Sequence, residues 1–190
     1  MTAFFEAASP ESWTLALDGY PRVLASLGKE GLVQLDAHVW TQWPSAIMAR
    51  TPPHITRHEL ITVMEWKMKR GAWRGWNVTK AQQNSEADVV KLSGEALALC
   101  PHPRAPLEKL GALHGVGPAT ASAVLAAVRP EVYAFYDEEV AAQLPGMGPV
   151  KFTVNHAVAY MDRLRGKART LAWTPQQVAQ ALWVVGALGL

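Results

Sequence analysis

The chain has 190 residues, of which 49% are apolar and 18% are charged, and its formal net charge is +2. This composition is typical of a globular protein with a sizeable core, and it excludes a disordered chain. The net charge is too small to indicate nucleic-acid binding by itself. Cys100 is the only cysteine, which excludes an internal disulfide and favours a reducing compartment. Because we see no targeting signal and no apolar run of membrane-spanning length, we expect an intracellular protein, nuclear or cytoplasmic, without a membrane partner.

The first hundred residues carry helix signals and no strand pattern. We expect residues 1–8 to form an arm. Ser9 is followed by proline and glutamate, which predicts that it caps a helix. Thr56 opens a capping box, and the helix after it is predicted to run to about Arg70. Ser85 predicts the start of another helix.

The second half of the chain is predicted to be helical as well. Three prolines in residues 101–106 indicate a linker, and residues 144–151 indicate a loop. Thr153 is predicted to cap a long helix that runs to about Arg169, and Thr174 opens a second capping box. We therefore predict an all-α protein with nine or ten helices.

The most informative stretch is a glycine-rich turn between two apolar helical patterns. The pattern before it ends at Leu113, and the pattern after it begins at Ala121. Between them, Gly115 and Gly117 suit a tight hairpin because glycine adopts positive φ without a steric penalty. Pro118 fits the first position of the next helix. The N–H groups of residues 115–117 are expected to point outward together and to bind a phosphate.

From residue 110 to residue 140 the chain resembles the helix-hairpin-helix motif of the DNA glycosylase superfamily, in which a Gly-Pro-rich hairpin is followed by an aspartate. In that superfamily the catalytic aspartate lies about twenty residues past the second hairpin glycine, and Asp137 lies 20 residues past Gly117 (137 − 117). Bifunctional members carry a lysine two residues past that glycine, where this chain has Ala119. The resemblance is therefore to monofunctional members. The iron–sulfur cluster of some relatives is excluded, because it needs four cysteines.

The resemblance implies a fold as well as an activity. It implies a single helix-hairpin-helix glycosylase-like domain over residues 1–190, with two helical lobes around a cleft. The hairpin spans residues 108–128, and the segment that bears the aspartate spans residues 130–143. The helices of residues 1–100 and 152–190 complete the lobes.

The activity implied by the resemblance is DNA repair by an N-glycosylase that flips a damaged or mispaired base out of double-stranded DNA. Asp137 would stabilise the oxocarbenium-like sugar and activate a water molecule. The alternative is a non-catalytic module that binds a nucleic-acid backbone or a protein partner, in which Asp137 is only a helix cap. A structural subunit of a larger assembly is a third possibility.

A basic, tryptophan-containing run adds further candidates. Residues 56–80 contain six Lys or Arg and two Glu, a local net charge of +4 (6 − 2). The candidates for DNA-backbone contacts are Leu113, His114, Gly115, Val116, Gly117, Ala119, Thr120, Lys67, Lys69, Arg70 and Arg74. The candidates for the base pocket are Trp66, Trp73, Trp76, Tyr133 and Tyr136. The alternative explanation is that the cations offset a helix dipole and that the tryptophans, Trp66 above all, lie in the core.

Two further expectations concern cofactors and a second glycine turn. The histidines have no metal-ligand spacing, so we expect no metal and no cofactor, with a monovalent cation at the hairpin left open as an alternative. The loop at residues 144–151 has a sequence similar to that of the hairpin. Lys151 is out of register, however, and no apolar helix precedes the loop at the right spacing. We therefore interpret it as a plain Gly-Pro loop.

Overall fold

The computed structural model describes residues 2–71 and 75–189. Within these ranges the chain is helical and contains no strand, so the all-α prediction is confirmed. The helices are α1 (Thr2–Ala7), α2 (Pro10–Asp18), α3 (Tyr20–Ser26), α4 (Leu32–Ala37), α5 (Trp43–Met48), α6 (Arg57–Arg70), α7 (Gly75–Ala81), α8 (Glu86–Ala98), α9 (Ala105–Leu110), α10 (Pro118–Val128), α11 (Glu138–Ala141), α12 (Val154–Leu171) and α13 (Pro175–Leu188), with a π-helical segment (His38–Gln42) between α4 and α5.

The predicted helix starts coincide with observed caps. Thr56 accepts a hydrogen bond from the Glu59 N–H at the start of α6, and the Glu59 carboxylate accepts one from the Thr56 N–H. The hydroxyl groups of Ser9, Ser85 and Thr153 cap α2, α8 and α12 in the same position. The second capping box, at Thr174, is also present. Each cap is a local contact over three residues, which explains why the sequence predicts it.

Two segments that were expected to lack helix are helical, and the number of helices exceeds the prediction. Residues 1–8 were expected to form an arm, but the segment contains α1. The rings of Phe4 and Phe5 pack against Trp13 with centroid distances of 5.0 and 6.1 Å. The linker prediction for residues 101–106 also fails at its end, because α9 begins within that stretch and buries Leu107. In both cases apolar packing orders a short helix that is marginal in isolation.

The helix α10 lies at the centre of the core. Every residue from Ala119 to Val128 is buried, and the helix contacts α5, α6, α9 and α12. A helix that is apolar on all sides is stable only when neighbours cover every face. On the other side of the core, α13 packs against α2 and α12. The two helices of the predicted hairpin are thus α9 and α10, and the second of them is fixed in position by surrounding helices.

A smaller apolar cluster joins α6 to α7. It contains Met64 and Met68 from α6, and Val78 and Ala81 from α7. This contact holds α7 against α6, on the side of the molecule where the hairpin lies. No helix in the described ranges is both long and apolar enough to cross a membrane.

Candidate nucleic-acid interface and active site

Gly115 allows the hairpin to lie directly against α7. Its φ is +75°, a left-handed conformation that side chains rarely adopt. A Cβ atom at this position would lie 2.9 Å from the Lys80 Cβ and 3.0 Å from the Asn77 carbonyl oxygen. Gly117 differs, because its φ is −97° and a Cβ there would meet nothing within 4 Å. The structure therefore requires glycine at residue 115, whereas an L-residue fits at residue 117.

Asn84 fastens the hairpin loop to the start of α8. Its buried side chain accepts a hydrogen bond from the His114 N–H at 2.8 Å and donates one to the His114 carbonyl oxygen at 3.0 Å. Nothing in the sequence singled out this residue. An asparagine next to a predicted cap carries no sequence signal that distinguishes a contact across thirty residues from a local turn.

The hairpin offers two free backbone donors instead of the three that were expected. The Val116 N–H donates to the Leu113 carbonyl oxygen at 3.1 Å, so it is already used. Within the described residues, the N–H groups of Gly115 and Gly117 have no acceptor. Among the hairpin side chains, that of His114 is exposed. Those of Leu113, Val116, Ala119 and Thr120 are buried, so the side chains of these four residues serve packing.

Asp137 caps α11 and faces Arg70. Its Oδ1 accepts a hydrogen bond from the Glu139 N–H at 2.8 Å, so the cap predicted from the sequence is present. Its Oδ2 accepts a hydrogen bond from the Arg70 guanidinium within an ion pair. The residue is 8% exposed. Each carboxylate oxygen of Asp137 therefore already has one partner inside the protein.

Arg70 is buried among aromatic rings, which corrects its expected position on a DNA-facing surface. Its guanidinium carbon lies 4.3 Å from the centre of the Trp183 ring and 5.3 Å from the centre of the Phe135 ring. Burial acts to lower the pKa of Arg70, but the negative charge of Asp137 outweighs burial, and the pKa is raised above its ordinary value. Arg70 therefore stays charged, and its main role is to pair with Asp137.

A pocket of about 410 Å³ lies beside this ion pair. It contains both Asp137 and Ala119, the position at which bifunctional glycosylases carry their lysine. The pocket is lined by Leu27, Lys29, Lys67, Met68, Arg70, Gly71, Ala119, Phe135, Tyr136, Asp137, Glu138, Glu139 and Phe152. Two positions that the resemblance assigns to one cleft, separated by 18 residues, are thus brought together around one pocket.

Most candidates for the base pocket lie elsewhere. Among those that the structure describes, Tyr136 lines the pocket. Trp66 and Tyr133 are buried in the core, where the Trp66 indole N–H donates to Asp36 at 2.8 Å and the Tyr133 hydroxyl donates to the His102 carbonyl oxygen at 2.8 Å. Trp76 is 62% exposed on α7, outside the pocket. Two candidates, Trp73 and Arg74, lie outside the described residues.

The lysines near the end of α6 serve partly as structural links. Lys69 donates to the Glu30 carbonyl oxygen at 2.7 Å, which ties α6 to the turn before α4. Lys29 donates to the carbonyl oxygens of Arg70 and Gly71 at 3.4 and 3.2 Å, where it offsets the negative end of the helix dipole. Lys29 and Lys67 also line the pocket, so they bring positive charge to it.

Phe152 is a pocket residue that the sequence did not single out. Its ring centroid lies 5.9 Å from that of Tyr136. The hydroxyl group of Tyr136 is in turn hydrogen-bonded to His156 Nδ1 at 2.6 Å. Burial raises the pKa of the Tyr136 hydroxyl, and nearby backbone groups of Phe152 and Lys151 oppose that shift. The aromatic side of the pocket is therefore built by the segments on either side of α11.

The described part of the chain offers no metal centre, and no known protein matches the chain. Among the described residues, no group of three or more His, Cys, Asp or Glu side chains is placed to hold a metal ion. Comparison of the chain with protein-family models, with curated proteins and with solved structures gave no match. The function must therefore be inferred from the geometry of the pocket and of the hairpin.

Proposed function

We propose that this protein is a monofunctional DNA N-glycosylase that takes an extruded base into the pocket beside Asp137. The observation that carries the proposal is that Asp137 and Ala119 line one pocket. Its volume of about 410 Å³ lies within the range of small-molecule sites in proteins. In this proposal the helices on either side of the pocket form the two lobes.

The hairpin would hold the DNA strand through a phosphate. The free N–H groups of Gly115 and Gly117 are suitable donors, and the exposed Lys80 lies against Gly115 and supplies a cation. Such contacts fix the position of the strand without reading its sequence. The strand would place one nucleotide at the pocket, where Lys29 and Lys67 provide positive charge.

Asp137 would support hydrolysis of the bond between base and sugar. Cleavage of this bond builds positive charge on the sugar, which a fixed carboxylate stabilises. The ion pair with Arg70 favours the charged form of Asp137 and holds the side chain in one orientation. Because residue 119 is alanine, no Schiff base forms there, and water is the nucleophile.

A second candidate function is a binding module without catalysis. The observation that favours it is that Arg70 and the Glu139 N–H each already bind one oxygen of Asp137. The positive charge of Arg70 also opposes positive charge on a nearby sugar. In this case the pocket and the hairpin bind a nucleotide, and Asp137 only caps α11 and pairs with Arg70.

The experiment that separates the two functions measures base release. Duplexes that each carry one deaminated, alkylated, oxidised or mismatched base are incubated with the protein, and hot alkali then reveals abasic sites. Asp137→Asn is compared with wild type and with Asp162→Asn, a matched change at an exposed residue of α12. Thermal unfolding checks that both variants fold, and strand binding is measured in parallel over a range of salt concentrations.

Each outcome of this experiment decides between the proposals. We expect base release by wild type and Asp162→Asn, and none by Asp137→Asn, with DNA binding retained in all three. Binding without release from any duplex supports the binding module. Absence of binding at low salt contradicts both functions, because contacts to phosphates strengthen as salt is lowered.

A further inference from the structure

The loop between α11 and α12 repeats the backbone of the hairpin 31 residues later. Gly115 and Gly146 have φ values of +75° and +73°. The hydrogen bonds of the hairpin are Ala112 N–H to Lys109 O, Leu113 N–H to Leu110 O, and Val116 N–H to Leu113 O; those of the later loop are Gln143 N–H to Val140 O, Leu144 N–H to Ala141 O, and Met147 N–H to Leu144 O. The Gly-Pro loop predicted from the sequence is therefore folded as a second hairpin turn.

The two turns differ in the length of chain that separates each turn from the next helix. After the first, α10 begins at Pro118, immediately after Gly117. After the second, α12 begins only at Val154, so five residues separate Gly148 from the helix. This additional segment, residues 149–153, carries Phe152 to the pocket that contains Asp137.

Phe152 has a backbone conformation that is unfavourable for its side chain. Its φ is +48°, in the left-handed region, which costs an L-residue free energy and is found mostly at functional sites. Its side chain is also 41% exposed, although it is large and apolar. Packing alone does not explain a phenylalanine in this position, because neither its backbone nor its hydration is favourable.

The surroundings hold this segment in place. His156 Nε2 donates to the Met147 carbonyl oxygen at 3.1 Å, and Nδ1 of the same ring is hydrogen-bonded to the Tyr136 hydroxyl. Thr153, the next residue after Phe152, caps α12 by accepting from the His156 N–H at 3.3 Å. The ring of Phe152 is thereby fixed relative to Tyr136 and to Asp137 one residue later.

We infer that Phe152 is the stacking surface of the pocket and that an unpaired nucleobase lies against its exposed face. The inference rests on the proposed binding of nucleic acid and adds a residue and a ligand class to it. An exposed aromatic face suits a planar base, because stacking on aromatic rings binds every base. The cations Lys29 and Lys67 in the same pocket suit the phosphate of the same nucleotide.

The experiment compares two DNA duplexes that are identical except at one bulged nucleotide. In the first duplex this nucleotide is thymidine, and in the second it is a tetrahydrofuran abasic analogue, which lacks a base. Fluorescence anisotropy gives the dissociation constant of each duplex for wild type, Phe152→Leu and Phe152→Tyr. Phe152→Leu keeps an apolar residue before the Thr153 cap, so it separates stacking from support of the helix. Trp76→Leu is the matched control, because it removes a more exposed aromatic ring outside the pocket.

We expect wild type to bind the thymidine duplex about tenfold more tightly than the abasic duplex, as stacking of one base predicts. Phe152→Leu should bind both duplexes with the affinity that wild type has for the abasic one, and Phe152→Tyr and Trp76→Leu should keep the preference.

Equal weakening of both duplexes by Phe152→Leu, or a preference that depends on Trp76 instead, would overturn the inference but not the proposed function. Wild-type binding without a preference for the base would do the same. If wild type binds neither duplex, the proposed function fails and the inference fails with it.

Discussion

Arg70 and Asp137 form an ion pair in which the two side chains are only 6% and 9% exposed. The residues are 67 positions apart, and the pair joins the end of α6 to the start of α11. A buried charge without a partner is costly, so each residue depends on the other. The pair therefore links the stability of the fold to the candidate catalytic residue.

Removal of Arg70 should destabilise the protein strongly. We expect Arg70→Met to lower the free energy of unfolding by about 3–5 kcal/mol, because Asp137 is left buried without its cation. Urea denaturation measures the loss. Arg104→Met is the control, since the Arg104–Glu108 pair is exposed and should cost about 1 kcal/mol or less. The double variant Arg70→Met/Asp137→Asn should recover part of the loss. Similar small losses in both single variants would contradict the role of the buried pair.

Replacement of Gly115 should cost much more stability than replacement of Gly117. Gly115→Ala places a Cβ 2.9 Å from the Lys80 Cβ at a positive φ, so we expect a loss of about 1–3 kcal/mol and weaker binding of DNA. Gly117→Ala meets no neighbouring atom and should change stability by only a few tenths of a kcal/mol. Thermal unfolding and DNA binding of the two variants provide the measurement, and equal stability of both would show that the contact with α7 is wrong.

Loss of the Asn84 side chain should loosen the hairpin. Asn84→Ala leaves the His114 N–H and carbonyl groups without their partners, and we expect about 1–3 kcal/mol of destabilisation. Hydrogen exchange of the His114 amide, measured by NMR, should become faster than in wild type. The neighbouring exposed Gln83 provides the control, because Gln83→Ala should leave this exchange unchanged. An unchanged exchange rate in Asn84→Ala would contradict the clasp.

Glu59 should make stability depend on pH in the acidic range. Burial acts to raise the pKa of Glu59, but two hydrogen bonds from Arg50, at 2.7 Å each, and one from the Thr56 N–H outweigh it and lower the pKa. A lowered pKa in the folded state gives stability that is present above the unfolded pKa, about 4.3, and is lost as pH falls through the folded value.

The measurement for Glu59 compares wild type with Glu59→Gln between pH 7 and pH 3. We expect wild type to be more stable at pH 7 by about 1–3 kcal/mol, since the variant loses charged hydrogen bonds. The difference should shrink as the pH falls, because Glu59 itself becomes neutral. A difference that stays constant with pH would show that the charge of Glu59 does not contribute.

The sequence by itself determined the helical class, the caps and the hairpin. Ser9, Thr56 and Thr174 act on N–H groups three residues ahead, and the hydroxyl groups do so whatever surrounds the helix. The turn at Gly115 is equally local, because it results from a positive φ between two apolar helical patterns. The spacing to Asp137 indicated a cap, and the cap is present.

Only the tertiary structure decided which of the predicted site residues face one another. The cations of the basic run look alike in sequence, yet Arg70 is buried while Lys67 lines the pocket. The contacts of Asn84 and Phe152 also connect segments that periodicity does not relate. Burial and pairing depend on which helices pack together, and packing is set by the combined apolar surface of the whole chain instead of by neighbours in sequence. For that reason the sequence indicated a hairpin and an aspartate, and the fold built the pocket around them.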